Sequence, residues 1–166
     1  MPVPTAAYLA GMRRLAAGVS IVTAELAGMR AGLTVTSACS LTAEPPRLLV
    51  CINRTAEAHD VIAGAGHFAL NVLSAAQRDL ADLFGGREDI FGDARFAQGR
   101  WLRGRTGAPL LAGAAARFEC RLVESLPVGG HSIFVGEVEA MPPLAEVAEP
   151  LVYHDRDYRR LVPFED

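Results

Sequence analysis

The sequence predicts a mostly β fold with short helices, arranged as a small antiparallel barrel. Three observations carry that prediction. About six runs rich in Val, Ile, Leu, Phe and Thr recur between turn residues. Several of these runs follow one another across turns short enough to make hairpins. The helical stretches between them are short and do not alternate with strands as in a doubly wound sheet. With 166 residues and 51% hydrophobic content, the chain can bury a sizeable core without staples or metals, so residues 1–166 are expected to form a single domain. A small barrel still has strand edges and apolar outer faces to protect, and a homodimer is the economical way to protect them.

Thr5 is placed to cap a first helix in which Leu9, Met12, Leu15 and Ala16 recur at helical spacing, with Arg13 and Arg14 opening a polar side and Gly18 as the stop. Val19 to Glu25 is β-rich. The turn Ala27-Gly28-Met29-Arg30 leads into a strand from Gly32 to Thr42. Ala43-Glu44-Pro45-Pro46 turns the chain into the apolar run Arg47 to Ile52, which stops at Asn53-Arg54-Thr55. A short helix is expected over 56–63, with Glu57 in its first turn, where a negative charge suits the dipole, and with Gly64 and Gly66 as breakers. His67 to Leu73 is another strand, and Ser74-Ala75-Ala76-Gln77 has capping-box spacing ahead of a helix bearing Leu80, Leu83 and Phe84. Gly85-Gly86 closes that helix. Residues 87 to about 108 read as a long, charged, irregular surface loop. Two long strands follow, about 114–125 and 131–141, joined through Pro127-Val128-Gly129-Gly130, and the last segment carries Tyr153, His154 and Tyr158.

Composition narrows the function. The net charge is −3 and the 16 basic residues, all arginine, are scattered, which argues against nucleic acid or an anionic membrane as partner. The absence of lysine removes Schiff-base chemistry and leaves arginine to hold any phosphate. Cys39, Cys51 and Cys120 stand singly in strand-like runs and read as small core residues of a reduced protein. His59, His67 and His154 have no metal-ligand spacing, so no metal site is expected. The amino terminus lacks a charged segment followed by an apolar one and no stretch approaches a membrane span, so the expected location is the cytoplasm.

Within the strand from Gly32 to Thr42, hydroxyls at Thr34, Thr36, Ser40 and Thr42 alternate with Leu33, Val35, Cys39 and Leu41. Residues two apart in an extended chain lie about 6 to 7 Å from each other on one face, so the pattern describes a row of hydroxyls. Such a row suits a ligand rich in oxygen and nitrogen, with the Asn53-Arg54-Thr55 cluster as its phosphate end; it equally describes the solvated face of an antiparallel strand. No Gly-x-Gly-x-x-Gly or Walker loop is present, so a nucleotide would have to bind by another route.

Five blocks carry a resemblance. They are Gly18-Val19-Ser20-Ile21-Val22-Thr23, Gly32-Leu33-Thr34-Val35-Thr36-Ser37, Pro45-Pro46-Arg47-Leu48-Leu49-Val50-Cys51-Ile52-Asn53-Arg54, Phe68-Ala69-Leu70-Asn71-Val72-Leu73 and Gly130-His131-Ser132-Ile133-Phe134-Val135-Gly136-Glu137-Val138. In this order they closely resemble the short-chain flavin reductases, the reductase components of two-component flavin-dependent monooxygenases. The resemblance implies an FMN-binding split β-barrel, a homodimer, and reduction of FMN or FAD by NADH or NADPH, with the reduced flavin passed to a separate oxygenase. It places Thr34, Val35, Thr36, Ser37 and Ala38 at the isoalloxazine and ribityl chain, Ser40 and Leu41 beside them, and Asn53, Arg54, Thr55 and Ala56 towards the phosphate. Many members carry serine where this chain has Ala56, a loss worth about 1 kcal/mol unless the helix amides that follow replace it.

Hydride transfer between two cofactors needs positioning more than acid, base or nucleophile, which fits the lack of any triad or carboxylate pair in the sequence. The resemblance sets His131 at the mouth of the site, to bind the nicotinamide carboxamide or supply a proton; by spacing alone it is a hairpin histidine in water. Arg13 and Arg14 are candidates for the dinucleotide's phosphates or for a solvated helix face. Tyr153 and Tyr158 are candidates to cover the pocket or simply to pack. Phe84, Gly85, Arg95 and Phe96 are expected to border the flavin from the loop side. The same fold also leaves open a non-catalytic flavin-binding or electron-relay protein, and a flavoprotein whose tightly bound FMN reduces another acceptor.

Overall fold

The computed structural model describes residues 1–144 and 148–164. Helix α1 (Thr5–Met12) precedes strands β1 (Ala17–Gly18), β2 (Ser20–Leu26), β3 (Met29–Val35), β4 (Ala38–Ala43) and β5 (Pro46–Asn53). Helix α2 (Glu57–Ala65), β6 (His67–Val72) and α3 (Arg78–Phe84) follow, then β7 (Trp101–Arg103), β8 (Pro109–Leu111), β9 (Ala116–Val128), β10 (His131–Ala140), β11 (Val152–His154) and β12 (Asp157–Arg159). Seven strands form one antiparallel sheet in the order β3-β2-β6-β9-β10-β5-β4. Its two edge strands, β3 and β4, are consecutive in sequence and are joined only by Thr36 and Ser37. A sheet whose edges are tied by two residues must curl until they meet at that corner. Among the described residues β3 pairs only with β2 and β4 only with β5, so the hydrogen-bond ladder stays open between the edges.

Period-two patterning sets the core. Along β5, Leu48, Val50 and Ile52 are buried while Arg47, Leu49 and Cys51 are partly exposed, the alternation of a strand with one face inward. β2 instead has buried residues on both faces. Val22 and Ala24 join the first core cluster with Phe68 and Phe134, and Ile21 joins Leu73, Leu83 and Phe84 in a second beneath α3. Helix α2 buries Ala58, Val61 and Ile62 on the first cluster and stops at Gly66, whose φ of 69° is the left-handed conformation that glycine adopts without strain. Gly136 is a packing requirement of another kind: a Cβ there would lie 2.5 Å from Phe68 Cζ and 2.7 Å from Cys120 Cβ.

Four differences from the sequence reading shape the site. The strand expected from Gly32 to Thr42 is two strands, because the ladder partner changes from β2 to β5 at Thr36–Ser37. The first helix ends at Met12 and buries none of its residues, and its N-cap is Pro4, without a side-chain cap. The region 87–108 is ordered by a 3-10 turn (Gly92–Ala97) and the β7–β8 hairpin. Arg30 clamps it with two hydrogen bonds to Asp93, 2.7 and 2.9 Å long, and Phe96 packs edge to face on Phe84 and Trp101, which tilt against each other, at 4.9 to 5.4 Å between centroids. In the carboxyl-terminal segment, β11 and β12 form a small sheet with β1. The capping box at Ser74 forms as expected, with Ser74 N donating to Gln77 Oε1 at 3.0 Å.

Candidate functional site

β5 delivers Asn53 to the surface, where the chain must turn into α2. Asn53 Oδ1 accepts from Thr55 N at 3.0 Å and from Thr55 Oγ1 at 2.9 Å, a turn in which the side chain takes the place of a backbone acceptor. Arg54 N donates to Gly130 O at 2.9 Å, tying the turn to the β9–β10 hairpin. Ala56, the N-cap of α2, supplies no side-chain cap, so the first amides of the helix are left for an anion or water. The exposed Arg54 makes no ion pair among the described residues. Glu57 and Asp60 in the same first turn offset part of the attraction for an anion.

From this turn a cleft of about 400 Å³ runs between β3 and the end of α3, lined by Gly32, Leu33, Thr34, Thr55, Ala56, Phe84, Gly85, Phe91 and Arg95 among others. Thr34 Oγ1 donates to Ala81 O at 2.8 Å, and this bond spaces β3 from α3. Arg95 is spent on backbone, donating from Nε to Ile90 O at 2.8 Å and from a terminal nitrogen to Gly32 O at 3.4 Å. Sharing Thr34 and Gly85, a second hollow of about 180 Å³ continues past Val35, Thr36, Arg87, Tyr153 and Tyr158. Sharing Thr36 and Tyr153, a third of about 360 Å³ reaches Ser37, Arg13 and the apolar side chains of α1. Each of the two larger hollows lies within the size range of small-molecule sites, roughly 300 to 1,000 Å³.

Tyr158 is the most perturbed group along the cleft. Its burial, reinforced by the Asp82 carboxylate, pushes the phenol up to about 12. The Arg78 and Arg87 guanidinium groups each lie 5.5 Å from its ring centroid, and Tyr153 packs against it edge to face at 5.4 Å. Cys120, buried in the core beneath the sheet beside Glu119, has its thiol pushed up to about 12 as well, which marks it as inert.

The structure therefore brings Thr34, Val35, Thr36, Ser37, Thr55, Ala56, Phe84, Gly85, Arg95, Tyr153, Tyr158 and Arg13 onto one connected cleft. Asn53 and Arg54 line none of the three hollows; they immediately precede Thr55 and Ala56, which do. Ser37 Oγ already donates to Cys51 O at 2.8 Å, so at this position the hydroxyl orders the corner between the edge strands. Ala38 and Ser40 lie elsewhere, on a largely apolar hollow of about 510 Å³ with Leu48, Phe118, Val138 and Met141. Leu41 and Arg14 are exposed and line none of these hollows. Phe96 is buried behind the wall. His131 is exposed at the hairpin, where it is the ladder partner of Asn53. Sequence reading missed Phe91, Gly32 and Arg87. Phe91, 67% exposed at the cleft rim, was detectable only as an aromatic inside a charged stretch.

This geometry suits an elongated ligand with an anionic end at residues 53–58 and a planar body along β3. A family model described as "Flavin reductase like domain" matches residues 12–162. Over 160 residues the chain is 45% identical to the FMN reductase (NADH) RutF of Stutzerimonas stutzeri (strain A1501), covering 96% of this chain and 90% of that protein. Its fold is similar to that of BorF, the flavin reductase component of a bacterial two-component tryptophan halogenase, with TM-score 0.87, 33% identity and coverage of 97% and 100%. It is similar too to the Streptomyces globisporus C-1027 NADH:FAD oxidoreductase SgcE6 in complex with NAD and FAD fragments, with TM-score 0.86, 29% identity and full coverage of both chains. With a match along almost its whole length, the chain belongs to the flavin reductase-like family and is a flavin oxidoreductase.

Proposed function

We propose that this chain reduces FMN with NADH and releases the reduced flavin to a separate oxygenase component. The observation that carries the reading is the connected cleft whose one end is an uncapped helix start beside Arg54, which makes no ion pair among the described residues. The residues fit the flavin: Asn53, Arg54, Thr55 and the α2 amides would hold the phosphate, and Thr34, Val35 and Thr36 would lie along the ring system and ribityl chain. When bound, the flavin supplies the redox chemistry by accepting a hydride from the reduced nicotinamide. The protein's part is orientation: Thr34 holds the two walls apart, and Tyr153 closes the far end. His131 is the polar group available to a nicotinamide at the mouth.

The preference for FMN and NADH rests on the relatives that carry those names. Delivery to an oxygenase rests on structural neighbours that are components of two-component systems. The missing side-chain cap at Ala56 supports a flavin that exchanges as a substrate. As a split barrel with an open ladder between β3 and β4, the single domain works as a homodimer. The apolar hollow of about 510 Å³, which opens along the edge strand β4, is the face that a second copy covers.

The test follows absorbance at the nicotinamide band with NADH and added FMN, FAD or riboflavin. Turnover that scales with free FMN is the expected result. Absence of flavin-dependent turnover with NADH or NADPH leaves a flavin-binding protein without this activity. Turnover independent of added flavin leaves a tightly bound prosthetic group. For His131, replacement by Ala is expected to raise the NADH KM severalfold, and unchanged NADH parameters return it to a solvated hairpin residue.

A further inference from the structure

Beside the cleft, three side chains are spaced as hydrolases space acid, base and nucleophile. Asp60 Oδ1 lies 2.9 Å from His59 Nδ1, and His59 Nε2 lies 2.9 Å from Ser132 Oγ. A nucleophile must be reached by its substrate, and Ser132 is 3% exposed, so the trio does not act as one. Its geometry serves orientation. Asp60 Oδ1 accepts the hydrogen bond of a protonated Nδ1, which leaves Nε2 as an acceptor for the Ser132 hydroxyl. The imidazole, half-buried on the first turn of α2, also packs on Phe134 of β10 at 5.1 Å between centroids.

What these contacts join is the significant point. Ser132 follows His131, and His131 is the ladder partner of Asn53. Gly130 O accepts from Arg54 N at 2.9 Å. The β9–β10 hairpin is therefore fastened on one side to the 53–55 turn by backbone and on the other to α2 by one side chain. We propose that His59 is a positioning residue that holds the His131 hairpin against the first turn of α2, so that the anion end of the cleft and His131 are set in place together. The inference rests on the flavin reading and adds to it a residue that touches neither ligand.

The test uses the full chain and steady-state kinetics with NADH against FMN and against riboflavin, which lacks the phosphate. His59→Phe keeps a ring on Phe134 and removes both hydrogen bonds; it is expected to raise the KM for FMN about tenfold, the change that loss of one such bond brings. The KM for NADH rises with it, and the KM for riboflavin changes much less. Ser132→Ala produces the same pattern, and the double variant is no worse than either single one, because both remove the same bond. His59→Gln, whose amide can meet the Ser132 hydroxyl, recovers most of the loss. If His59→Phe fails to fold, Ser132→Ala and His59→Gln carry the test. Unchanged KM values for FMN and NADH, with only the melting temperature lowered, overturn the inference, as do single effects that multiply in the double variant. In the same assay, wild-type protein without flavin-dependent turnover removes the reductase reading itself, whereas an active wild type beside a kinetically unaltered His59→Phe removes only this inference.

Discussion

The two ends of the cleft are built differently. At the Asn53 end, a side-chain turn, a backbone bond to the hairpin and the His59–Ser132 bond fix a few polar groups before any ligand arrives. At the Tyr153 end, α1 buries no residue and leaves Leu9 and Met12 47% and 44% exposed on the cleft wall. One backbone bond, Asp155 N to Arg13 O at 3.0 Å, ties that helix's end to the carboxyl-terminal sheet. Fixed groups give specificity without an ordering cost, while a loosely attached apolar wall adapts to what enters. On the proposed reading, the ordered end is preset for the flavin phosphate and the adaptable wall serves the second ligand.

The largest effect should come from breaking the fixed end. Asn53→Ala removes the acceptor that shapes the turn, and the KM for FMN is expected to rise by about tenfold or more, with riboflavin little affected. Equal losses for both flavins would show that the turn does not hold the phosphate. At the adaptable end, Tyr153→Ala is expected to raise the NADH KM about threefold to fivefold while leaving the FMN KM within about twofold, the cost of an edge-to-face aromatic contact. A larger effect on FMN would reverse the assignment of the two ends.

Between the ends, Thr34→Val deletes the bond to Ala81 O, which keeps Gly85 N as its donor at 2.9 Å. The expected cost is about 1 kcal/mol of stability, read as a drop of a few degrees in melting temperature. The smallest effect concerns alkaline pH. Tyr158 ionises near pH 10 in the unfolded chain and near 12 in the folded one, so its share of stability is complete below pH 10 and is lost as pH rises towards 12. Tyr158→Phe should therefore lose less stability than the wild type over that interval in denaturant titrations. Parallel curves would place the phenol in water.

Legibility in the sequence followed the same division. The Asn53-Arg54-Thr55 stop, the Ser74 capping box and the strands around Val50 and Leu70 were readable because local chemistry determines them. The break at Thr36–Ser37 was not, since it comes from a change of ladder partner between residues far apart in sequence. Period-two spacing thus put Ser40 and Thr42 on the same face as Thr34, whereas the two groups line different hollows. The clamp of Arg30 on Asp93 spans 63 residues and carries no local signal, so an ordered wall looked like a loop. Arg13 and Tyr153 were nameable as candidates, but the small β1-β11-β12 sheet brings them together.

The most direct measurement is a crystal structure of the protein soaked with FMN. The account predicts a flavin phosphate at Asn53–Ala58 and a ring system along Thr34–Thr36 beside Gly85. Flavin density instead in the apolar hollow between Ser40, Phe118 and Met141, with the Asn53 turn empty, would contradict it.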